Sequence, residues 1–252
     1  MTSHKYGWKP QIPDFRDHKL ELTTPVNLPA KIDLAVAHSY PAPYDQGNLG
    51  SCTANAIGAA LEADQLAQHY PSIWTPSRLY IYYFERAMEG TINQDAGAMI
   101  RDGIKVVSTK GAPKESTWPY DISKFAVEPP QSAITEGMQH EAIAYKAVNQ
   151  DLNSLKTALY NGFPIVFGIS VYESFESESV AKTGVVPMPS HTERCLGGHA
   201  ILLVGYDVRY KSFKFRNSWG TGWGAGGYGF LPFEYVTNPQ LASDFWTITR
   251  TK

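Results

Sequence analysis

The sequence predicts an α+β fold of two lobes, a helical lobe followed by an antiparallel β-barrel lobe, with a cleft between them. After residue 51, the first half of the chain repeats small and apolar residues at helical spacing. The second half instead contains short runs rich in β-branched and aromatic residues. The segment WPYDISKFAVEPPQ interrupts both patterns with three prolines and is typical of a crossing between lobes.

Helices are predicted where the hydrophobic period is close to 3.6 residues. Three lie in the first half: from Cys52 to Tyr70, through SRLYIYYFERAMEG to Gly90, and through GAMIRDGIKVVSTKG to Gly111. Glycine just after the last periodic residue is a common helix stop. A fourth helix, DLNSLKTALYNG, is predicted in the second half, and Gly162 follows it.

Five segments of the second half are predicted strands: PIVFGISVY, HAILLVGYD, SFKFRNSW, GYGFLP and FWTITRT. Each is bounded by Gly, Asp, Asn or Pro, as strands commonly are. Residues 1–45 differ from the rest because they are rich in Pro, Asp, His and Lys and show no sustained period. We therefore expect them to form an extended arm.

The composition excludes several classes of function. The chain has 252 residues, of which 43% are hydrophobic and 18% charged, and this is typical of a folded protein with a sizeable core. Its formal net charge of −2 argues against nucleic acid as the main partner. The first 25 residues contain no apolar segment of a signal peptide or anchor. We therefore expect no membrane association and a cytoplasmic location.

Cys52 has the sequence setting of a nucleophile. It ends the glycine-containing segment QGNLGSC and begins the first predicted helix. Unpaired backbone N–H groups and the macrodipole at a helix start favour a thiolate, so we expect a lowered thiol pKa. A thiolate nucleophile also needs a histidine that acts first as ion-pair partner and then as acid. The alternative is a buried thiol without a chemical role.

Three other residues complete the predicted catalytic group. His199 begins the strand HAILLVGYD directly after two glycines, and Asn217 begins a turn rich in Gly and Trp that could orient the imidazole. Gln46 lies six residues before Cys52 and could donate to an oxyanion together with the backbone N–H of Cys52. Each residue alone has an ordinary structural interpretation, but the combination favours catalysis.

No metal ion or cofactor is expected. The only two cysteines, Cys52 and Cys195, allow at most one disulfide, and neither has the CxxC or HxxxH spacing of a zinc site. We interpret Cys195 as an incidental thiol or the wall of a subsite. The acidic segment YESFESES is interpreted as a solvated loop near the cleft.

The motifs Gln46…Gly50-Ser51-Cys52, Gly198-His199-Ala200 and NSWGTGWG from Asn217 resemble those of the papain-like cysteine peptidases of the C1 family. The resemblance extends from Leu28 to the C-terminus. It implies a helical lobe and a β-barrel lobe with the active-site cleft between them, and hydrolysis of peptide bonds through an acyl-enzyme. It also implies that Cys52 is the nucleophile, His199 the acid and base, Asn217 its orienting partner and Gln46 the oxyanion donor.

The resemblance further assigns Gly97, Gly198 and Trp219 to the substrate-binding cleft, with a peptide or protein as substrate. Trp219 would also shield the histidine from water. The adjacent glycines that line the non-primed side in the family align only loosely with Asp95-Ala96-Gly97. Leu49 stands where secretory members have a disulfide cysteine, and Thr53 where they have an aromatic residue. The chain is thus similar to a bacterial-type branch without the long helical propeptide.

The expected organisation is an N-terminal extension, residues 1–27, and a peptidase domain, residues 28–252. Within the domain, the helical and strand-like patterns predict a helical lobe at about 45–125 and a β-rich lobe at about 126–252. The extension contains the extended segment GWKPQIPDFRDH. One hypothesis is a short inhibitory segment that reaches the cleft and makes the chain a zymogen. The other is a clasp that only stabilises the fold.

Two further functions use related residues. A transglutaminase-like Cys–His acyltransferase would pass the acyl group to an amine instead of water, and the block NSWGTGWG and the position of Gln46 argue against it. A non-catalytic homologue would serve as a binding module, and the complete set of four catalytic residues argues against that function.

Overall fold

The structure is a computed structural model that describes residues 4–251, and it confirms the predicted α+β fold. The α-helices are α1 (Leu34–Ala37), α2 (Cys52–Ala67), α3 (Arg78–Met88), α4 (Ile100–Thr109), α5 (Gln131–Gly137), α6 (Leu152–Tyr160), α7 (Glu178–Thr183) and α8 (Phe233–Thr237). The strands are β1 (Lys31–Asp33), β2 (Ala142–Ala147), β3 (Ile165–Tyr172), β4 (Cys195–Asp207), β5 (Ser212–Arg216), β6 (Tyr228–Pro232) and β7 (Ala242–Thr251). Short 3₁₀ helices lie at Ile122–Lys124 and Glu173–Glu176.

The strands form one antiparallel sheet in the order β2-β7-β3-β4-β5-β6, and β1 pairs with β4. Strand β4 is the longest and hydrogen-bonds to β1, β3 and β5. Over residues 4–251 the first and last strands of this order, β2 and β6, are not paired, so the sheet stays open on that side. Strand β4 therefore forms the centre on which the helical lobe packs.

Helix α2 lies between the sheet and the other long helices of the helical lobe. It contacts β4 and β7 on one side and α3 and α4 on the other. All of its residues from Cys52 to Gln65 are buried, which explains why small residues dominate its sequence. The alanines at 56, 59 and 60 allow the close approach of the neighbouring elements.

The long predicted helices and all five predicted strands are present, and the differences are local. Helix α2 ends at Ala67 rather than Tyr70, because His69 adopts a left-handed conformation with a φ of 53°. The sequence patterns missed β1, β2 and the four short helices α1, α5, α7 and α8. These elements are too short or too exposed to show a period of their own. None of the helices described between residues 4 and 251 is long and apolar enough to cross a bilayer.

A buried ion pair joins the two lobes. Arg216, the last residue of β5, donates from Nη2 to Oε2 of Glu62 in α2 at 3.2 Å. Both side chains are only 1% exposed. Thr75 also donates to Glu62, at 3.1 Å, and the same Arg216 nitrogen donates to the Ala42 carbonyl at 2.9 Å. Removing one charge of such a pair leaves the other buried without compensation.

The variant Glu62→Gln is expected to lower the free energy of unfolding by about 3 kcal/mol, because Arg216 keeps its charge in a buried site without a counter-charge. Urea-induced unfolding measures the change. The control is Glu178→Gln, which breaks a 2.6 Å pair with Lys182 whose side chains are 81% and 71% exposed. That change should cost less than about 1 kcal/mol. Equal and small losses in both variants would contradict the role of the buried pair.

Candidate active site

Cys52 and His199 come from different lobes and meet where α2 packs on β4. Cys52 is the first residue of α2 and is fully buried. The backbone of Ala200, the residue after His199 in β4, lies near the cysteine sulfur and acts to lower its pKa. His199 is fully buried as well. The contact between α2 and β4 therefore places the predicted nucleophile beside the strand that carries the predicted base.

The hydrogen bonds of His199 define which ring nitrogen is basic. Its Nε2 lies 2.8 Å from Oδ1 of Asn217, and this oxygen also accepts the backbone N–H of Ser218 at 2.9 Å. An amide oxygen only accepts, so the proton of the neutral imidazole is on Nε2. Nδ1 is buried and has no hydrogen-bond partner among residues 4–251. The free basic nitrogen is thus Nδ1.

Trp219 covers the imidazole. Its ring stacks on His199 with centroids 4.8 Å apart and an interplanar angle of 27°. It also stacks on His4 with centroids 3.8 Å apart and an angle of 6°. Tyr6 approaches His199 edge-on, with centroids 6.3 Å apart. The predicted shielding residue therefore contacts the histidine, and two residues from the N-terminus add to the cover.

Gln46 is held rigidly at the mouth of α2. Its Oε1 accepts the hydroxyl of Ser218 at 2.6 Å. Its Nε2 donates to the carbonyl of Leu49 at 2.9 Å and to that of Lys5 at 3.1 Å. The bond to Lys5 shows that the amide is directed at a peptide lying in the cleft. Ser218 was not predicted as a site residue, although it lies inside the block NSWGTGWG that indicated Asn217.

The N-terminal segment runs through this cleft; we call residues 4–27 the arm. Trp8 pairs with Ala98 in parallel orientation. The backbone N–H of Ala98 donates to the Gly7 carbonyl at 2.7 Å, and that of Lys9 donates to the Ala98 carbonyl at 3.0 Å. On the opposite side, the N–H of Trp8 donates to the carbonyl of Gly198 at 2.9 Å. The arm is thus bound to both lobes by its backbone.

The arm passes the sulfur at a glycine. The backbone of Gly7 lies near the sulfur of Cys52 and acts to lower its pKa. A Cβ at Gly7 would lie 1.8 Å from the carbonyl oxygen of Gly50, and one at Gly97, which has a φ of 70°, would lie 2.1 Å from that of Gly7. Three backbones therefore pack here with no room for a side chain, and the two predicted substrate-binding glycines, Gly97 and Gly198, both contact the arm.

Carboxylates of the body anchor the side chains of the arm. The anchored pairs are Lys5 with Asp95 at 2.6 Å, Lys9 with Glu89 at 2.8 Å, His4 with Glu176 at 3.2 Å, Tyr6 with Glu176, and Trp8 Nε1 with Asp244 at 3.0 Å. The acidic segment that the sequence suggested to be solvated therefore contributes Glu176 to the arm contacts. These bonds cover the whole stretch of the arm that crosses the cleft.

Burial sets the protonation of the catalytic pair in this state. It raises the pKa of the Cys52 thiol to about 11, although hydrogen bonds from the backbone of Ala200 and Gly7 act in the opposite direction. Burial also lowers the pKa of His199 to about 4, although the hydrogen bond that His199 donates to Asn217 acts in the opposite direction. The lowered thiol pKa expected from the helix start is therefore wrong here, because desolvation beneath the arm outweighs the helix N-terminus. The pair is a thiol and a neutral imidazole.

The remaining predicted features take no part in this group. Cys195 is exposed, and its sulfur lies 3.9 Å from the Gly197 carbonyl oxygen. Both cysteines are free thiols. Across residues 4–251, no three His, Cys, Asp or Glu side chains are grouped so that they could hold a metal ion. Ala98 and Asp244 contact the arm but were missed by the sequence patterns, since neither belongs to a recognisable motif.

Comparison with known proteins gives a consistent result. The model of the papain family cysteine proteases matches residues 28–238. An uncharacterised peptidase C1-like protein of Acanthamoeba polyphaga mimivirus is 45% identical over 212 residues, covering 81% of this chain and 68% of the relative. A viral cathepsin of Spodoptera litura multicapsid nucleopolyhedrovirus is 26% identical over 186 residues. That match covers 73% of this chain but only 51% of the viral protein, so the chain spans about half of its length.

Solved structures share the architecture. Xylellain, a cysteine protease from Xylella fastidiosa, is 39% identical with a TM-score of 0.88, and the match covers 98% of both chains. The procathepsin B S9 of Trypanosoma congolense has a TM-score of 0.77 at 17% identity, covering 96% of this chain and 85% of that one, and supports the fold alone.

His199 is expected to remain a neutral imidazole with its proton on Nε2 between pH 5 and 8, because its pKa is lowered to about 4 by burial and Nε2 donates to Asn217. Nitrogen chemical shifts of histidine-labelled protein report both the charge and the tautomer. Asn217→Ala, the matched control, should give a mixture of tautomers. An imidazolium at pH 7 in the parent chain would contradict this assignment.

Proposed function

The chain belongs to the papain family of cysteine proteases, and we propose that it hydrolyses peptide bonds through an acyl-enzyme on Cys52. The proposed roles are those of the sequence motifs: Cys52 as nucleophile, His199 as base and acid, Asn217 as the orienting residue and Gln46 as oxyanion donor. The substrate is a peptide or a protein. Gly97, Gly198 and Trp219 are proposed to line its binding site.

The reaction follows from the hydrogen bonds of the site. Nδ1 of His199 takes the proton of the Cys52 thiol as the sulfur bonds to the peptide carbonyl carbon. Nε2 of Gln46 and the backbone N–H of Cys52 donate to the resulting oxyanion. The imidazolium then protonates the leaving amine as the C–N bond breaks. In the second half, His199 removes a proton from water, which attacks the thioester and releases the acid and the thiol.

One observation supports this proposal most strongly. His199 is buried with Nε2 bound to Asn217 and with Nδ1 left without a partner among the described residues. A buried polar atom without a hydrogen bond is unfavourable, so such an atom needs an explanation. Cys52, at the start of the adjacent helix α2, provides this explanation, because Nδ1 of His199 can take the proton of its thiol. A binding module would need neither the free nitrogen nor the directed amide of Gln46.

Cys52→Ala is expected to abolish hydrolysis of a fluorogenic peptide, because no other group at this position can form the acyl-enzyme. Gln46→Ala should lower kcat by about 10²-fold through loss of an oxyanion donor. Steady-state kinetics in a chain whose arm is displaced by Gly7→Leu measure both effects. Cys195→Ser is the control, and it should hydrolyse the peptide at the rate of the parent chain. Substantial turnover by Cys52→Ala would exclude the mechanism. Preferential incorporation of an added amine would favour an acyltransferase instead.

We further propose that the arm inhibits the enzyme in this state. Attack by the sulfur and stabilisation of the oxyanion must act on the same carbonyl group. In the arm these two contacts fall on different residues: the backbone of Gly7 lies near the sulfur, whereas Nε2 of Gln46 donates to the carbonyl of Lys5. The arm thus fills the cleft without presenting a carbonyl in the reactive position. It also keeps the thiol protonated by excluding water from it.

The clasp hypothesis uses the same contacts in a different way. Trp8 is 7% exposed and belongs to the core that also contains residues of α2 and α4. The arm therefore contributes to stability as well as covering the cleft, so its complete removal would confuse the two roles. A substitution that displaces only residues near the sulfur separates them.

Gly7→Leu is expected to raise kcat/KM of the full chain by about tenfold or more, equivalent to at least roughly 1.4 kcal/mol of lost arm binding. The reason is steric, because even a Cβ at this position would lie 1.8 Å from the Gly50 carbonyl oxygen. Initial rates on a fluorogenic peptide measure the gain, and thermal unfolding monitors the fold. The control Ile12→Ala changes an arm side chain that is 82% exposed and should leave the rate unaltered.

If folded Gly7→Leu protein shows parental activity, the arm is not inhibitory and the clasp hypothesis stands. A gain in activity with a small loss of stability supports inhibition. A gain in Ile12→Ala equal to that in Gly7→Leu would show that the effect is not caused by crowding at the sulfur.

A further inference from the structure

Tyr120 closes the loop that precedes helix α2. It lies in the segment WPYDISKFAVEPPQ, which the sequence predicts to cross between the lobes. Its hydroxyl donates to the backbone carbonyl of Gln46 at 2.9 Å, and Oγ of Ser51 lies 2.5 Å from the same hydroxyl. Gln46 begins the segment QGNLGSC, and Ser51 is the last residue of that segment before the helix. One side chain therefore bonds both ends of the loop.

The direction of each hydrogen bond follows from the number of protons. A tyrosine hydroxyl carries one proton and a backbone carbonyl only accepts, so the proton of Tyr120 goes to Gln46. The hydroxyl of Ser51 must then donate to the oxygen of Tyr120. Nδ2 of Asn55 donates to Oγ of Ser51 at 3.0 Å and to its carbonyl at 2.9 Å. The fully buried Ser51 hydroxyl is thus engaged both as a donor and as an acceptor.

Arg78 keeps this network in one arrangement. Its Nη1 donates to Oδ1 of Asn55 at 3.0 Å, and the other end of that amide, Nδ2, faces Ser51. The guanidinium also lies over the ring of Tyr120, 4.1 Å from the ring centroid. Glu115 accepts from Nε and Nη2 of Arg78 at 2.8 Å and 2.6 Å, which fixes the guanidinium. The ring of Tyr120 is therefore held by stacking and its hydroxyl by two hydrogen bonds.

Ser51 precedes α2 but does not cap it. A serine at this position usually accepts the backbone N–H of the second or third helical residue. Ser77 and Ser177 do so at the starts of α3 and α7, where each accepts a backbone N–H, at 3.2 Å and 3.3 Å. The side chain of Ser51 makes no capping bond. Its bonds to Tyr120 and Asn55 thus withhold from α2 a cap that the sequence supplies.

The missing cap favours a negative charge on the sulfur. Backbone N–H groups at a helix start that are not bonded to a cap can stabilise an anion nearby. The backbone of Thr53, the second residue of α2, lies near the sulfur of Cys52 and acts to lower its thiol pKa. Thr53 also carries one of the two N–H groups that a capping serine accepts. A capping Ser51 and a thiolate at Cys52 would therefore compete for one donor.

We propose that Tyr120 is a positioning residue for the proposed hydrolysis. By holding the Ser51 hydroxyl, it keeps the N–H groups at the start of α2 available to the charge on Cys52. By holding the carbonyl of Gln46, it fixes the residue whose side chain donates to the oxyanion. This proposal rests on the proposed peptidase function and adds to it a residue that acts through Ser51 and Gln46.

The test removes the Tyr120 hydroxyl in the Gly7→Leu/Cys195→Ser chain, in which Cys52 is the only cysteine. Tyr120→Phe keeps the aromatic ring. We expect alkylation of Cys52 by iodoacetamide at about pH 6.5 to slow by about tenfold, as loss of one hydrogen bond to a charged group predicts. The reason is that the released Ser51 hydroxyl then accepts an N–H at the start of α2. For a fluorogenic peptide, kcat should fall at least as far while KM stays unchanged.

A second substitution separates this role from general destabilisation. In Tyr120→Phe/Ser51→Ala no hydroxyl remains to cap the helix, so alkylation should return to within about twofold of the parent rate. Hydrolysis should stay slow, because the carbonyl of Gln46 still lacks its donor. Tyr206→Phe is the matched control. It removes a hydroxyl that donates to the Pro29 carbonyl, also at 2.9 Å, and it should change neither rate.

The two assays distinguish failure of this proposal from failure of the peptidase function. Parental alkylation in Tyr120→Phe, or slow alkylation that Ser51→Ala does not restore, would overturn the role of Tyr120 and leave the peptidase function intact. An equal loss in Tyr206→Phe would overturn it too, because any lost tyrosine hydroxyl would then have the same effect. If the parent chain itself hydrolyses no peptide, the catalytic proposal is wrong, and the alkylation rates still decide whether Tyr120 controls the thiol.

Thermal unfolding shows which variants fold. If Tyr120→Phe does not fold, Ser51→Ala alone decides the proposal. Alkylation at the parental rate supports it, since the Ser51 hydroxyl then contributes nothing to the thiolate. A tenfold loss in Ser51→Ala would overturn it, because the hydroxyl would then support the thiolate directly. If Gly7→Leu does not fold, Trp8→Ala displaces the arm and serves as the parent chain.

Discussion

The packing of helix α2 against strand β4 is the contact on which the rest of the site depends. It packs the helix that begins at Cys52 against the strand that contains His199, and small residues along α2 allow a close approach. Three consecutive residues, beginning with the last residue of β5, then stabilise this contact and the side chains around it. Arg216 pairs with α2, Asn217 binds the imidazole, and Ser218 fixes the amide of Gln46. A local distortion at this point of the chain would disturb the buried ion pair, the orientation of the imidazole and the position of the Gln46 amide together.

Much of the fold could be predicted from the sequence, and so could the residues of the candidate site, because both depend on local patterns. Helices α2, α3 and α4 have a clear period, and Cys52, His199 and Asn217 lie in motifs whose spacing indicates their chemistry. A path of the arm into the cleft was one of two hypotheses from the sequence, but the residues that the arm contacts there could not be predicted. An extended segment has no period, and its position is determined by backbone pairing with Ala98, which is distant in sequence. The lobe boundaries and the roles of the site residues remain predictions.

The pKa of Cys52 illustrates a second limit of sequence reasoning. A helix start lowers a thiol pKa when the sulfur is solvated. In this structure the sulfur is fully buried, and the cost of desolvating a thiolate is larger than the benefit from the helix N-terminus. Under the proposed function, the reactivity of Cys52 then depends on whether a segment 45 positions earlier in the chain, at Gly7, covers it. Sequence motifs identify the reactive group, but its reactivity depends on what covers it.

The overlap between the arm and the proposed substrate site has a consequence for how the chain can change in evolution. Gly97 and Gly198 contact the arm, and both are proposed to line the substrate site. Under the proposed inhibition, a substitution at either glycine changes the binding of substrate and the binding of the arm together. Adaptation to a new substrate would then require a compensating substitution in the arm, near Gly7 or Trp8.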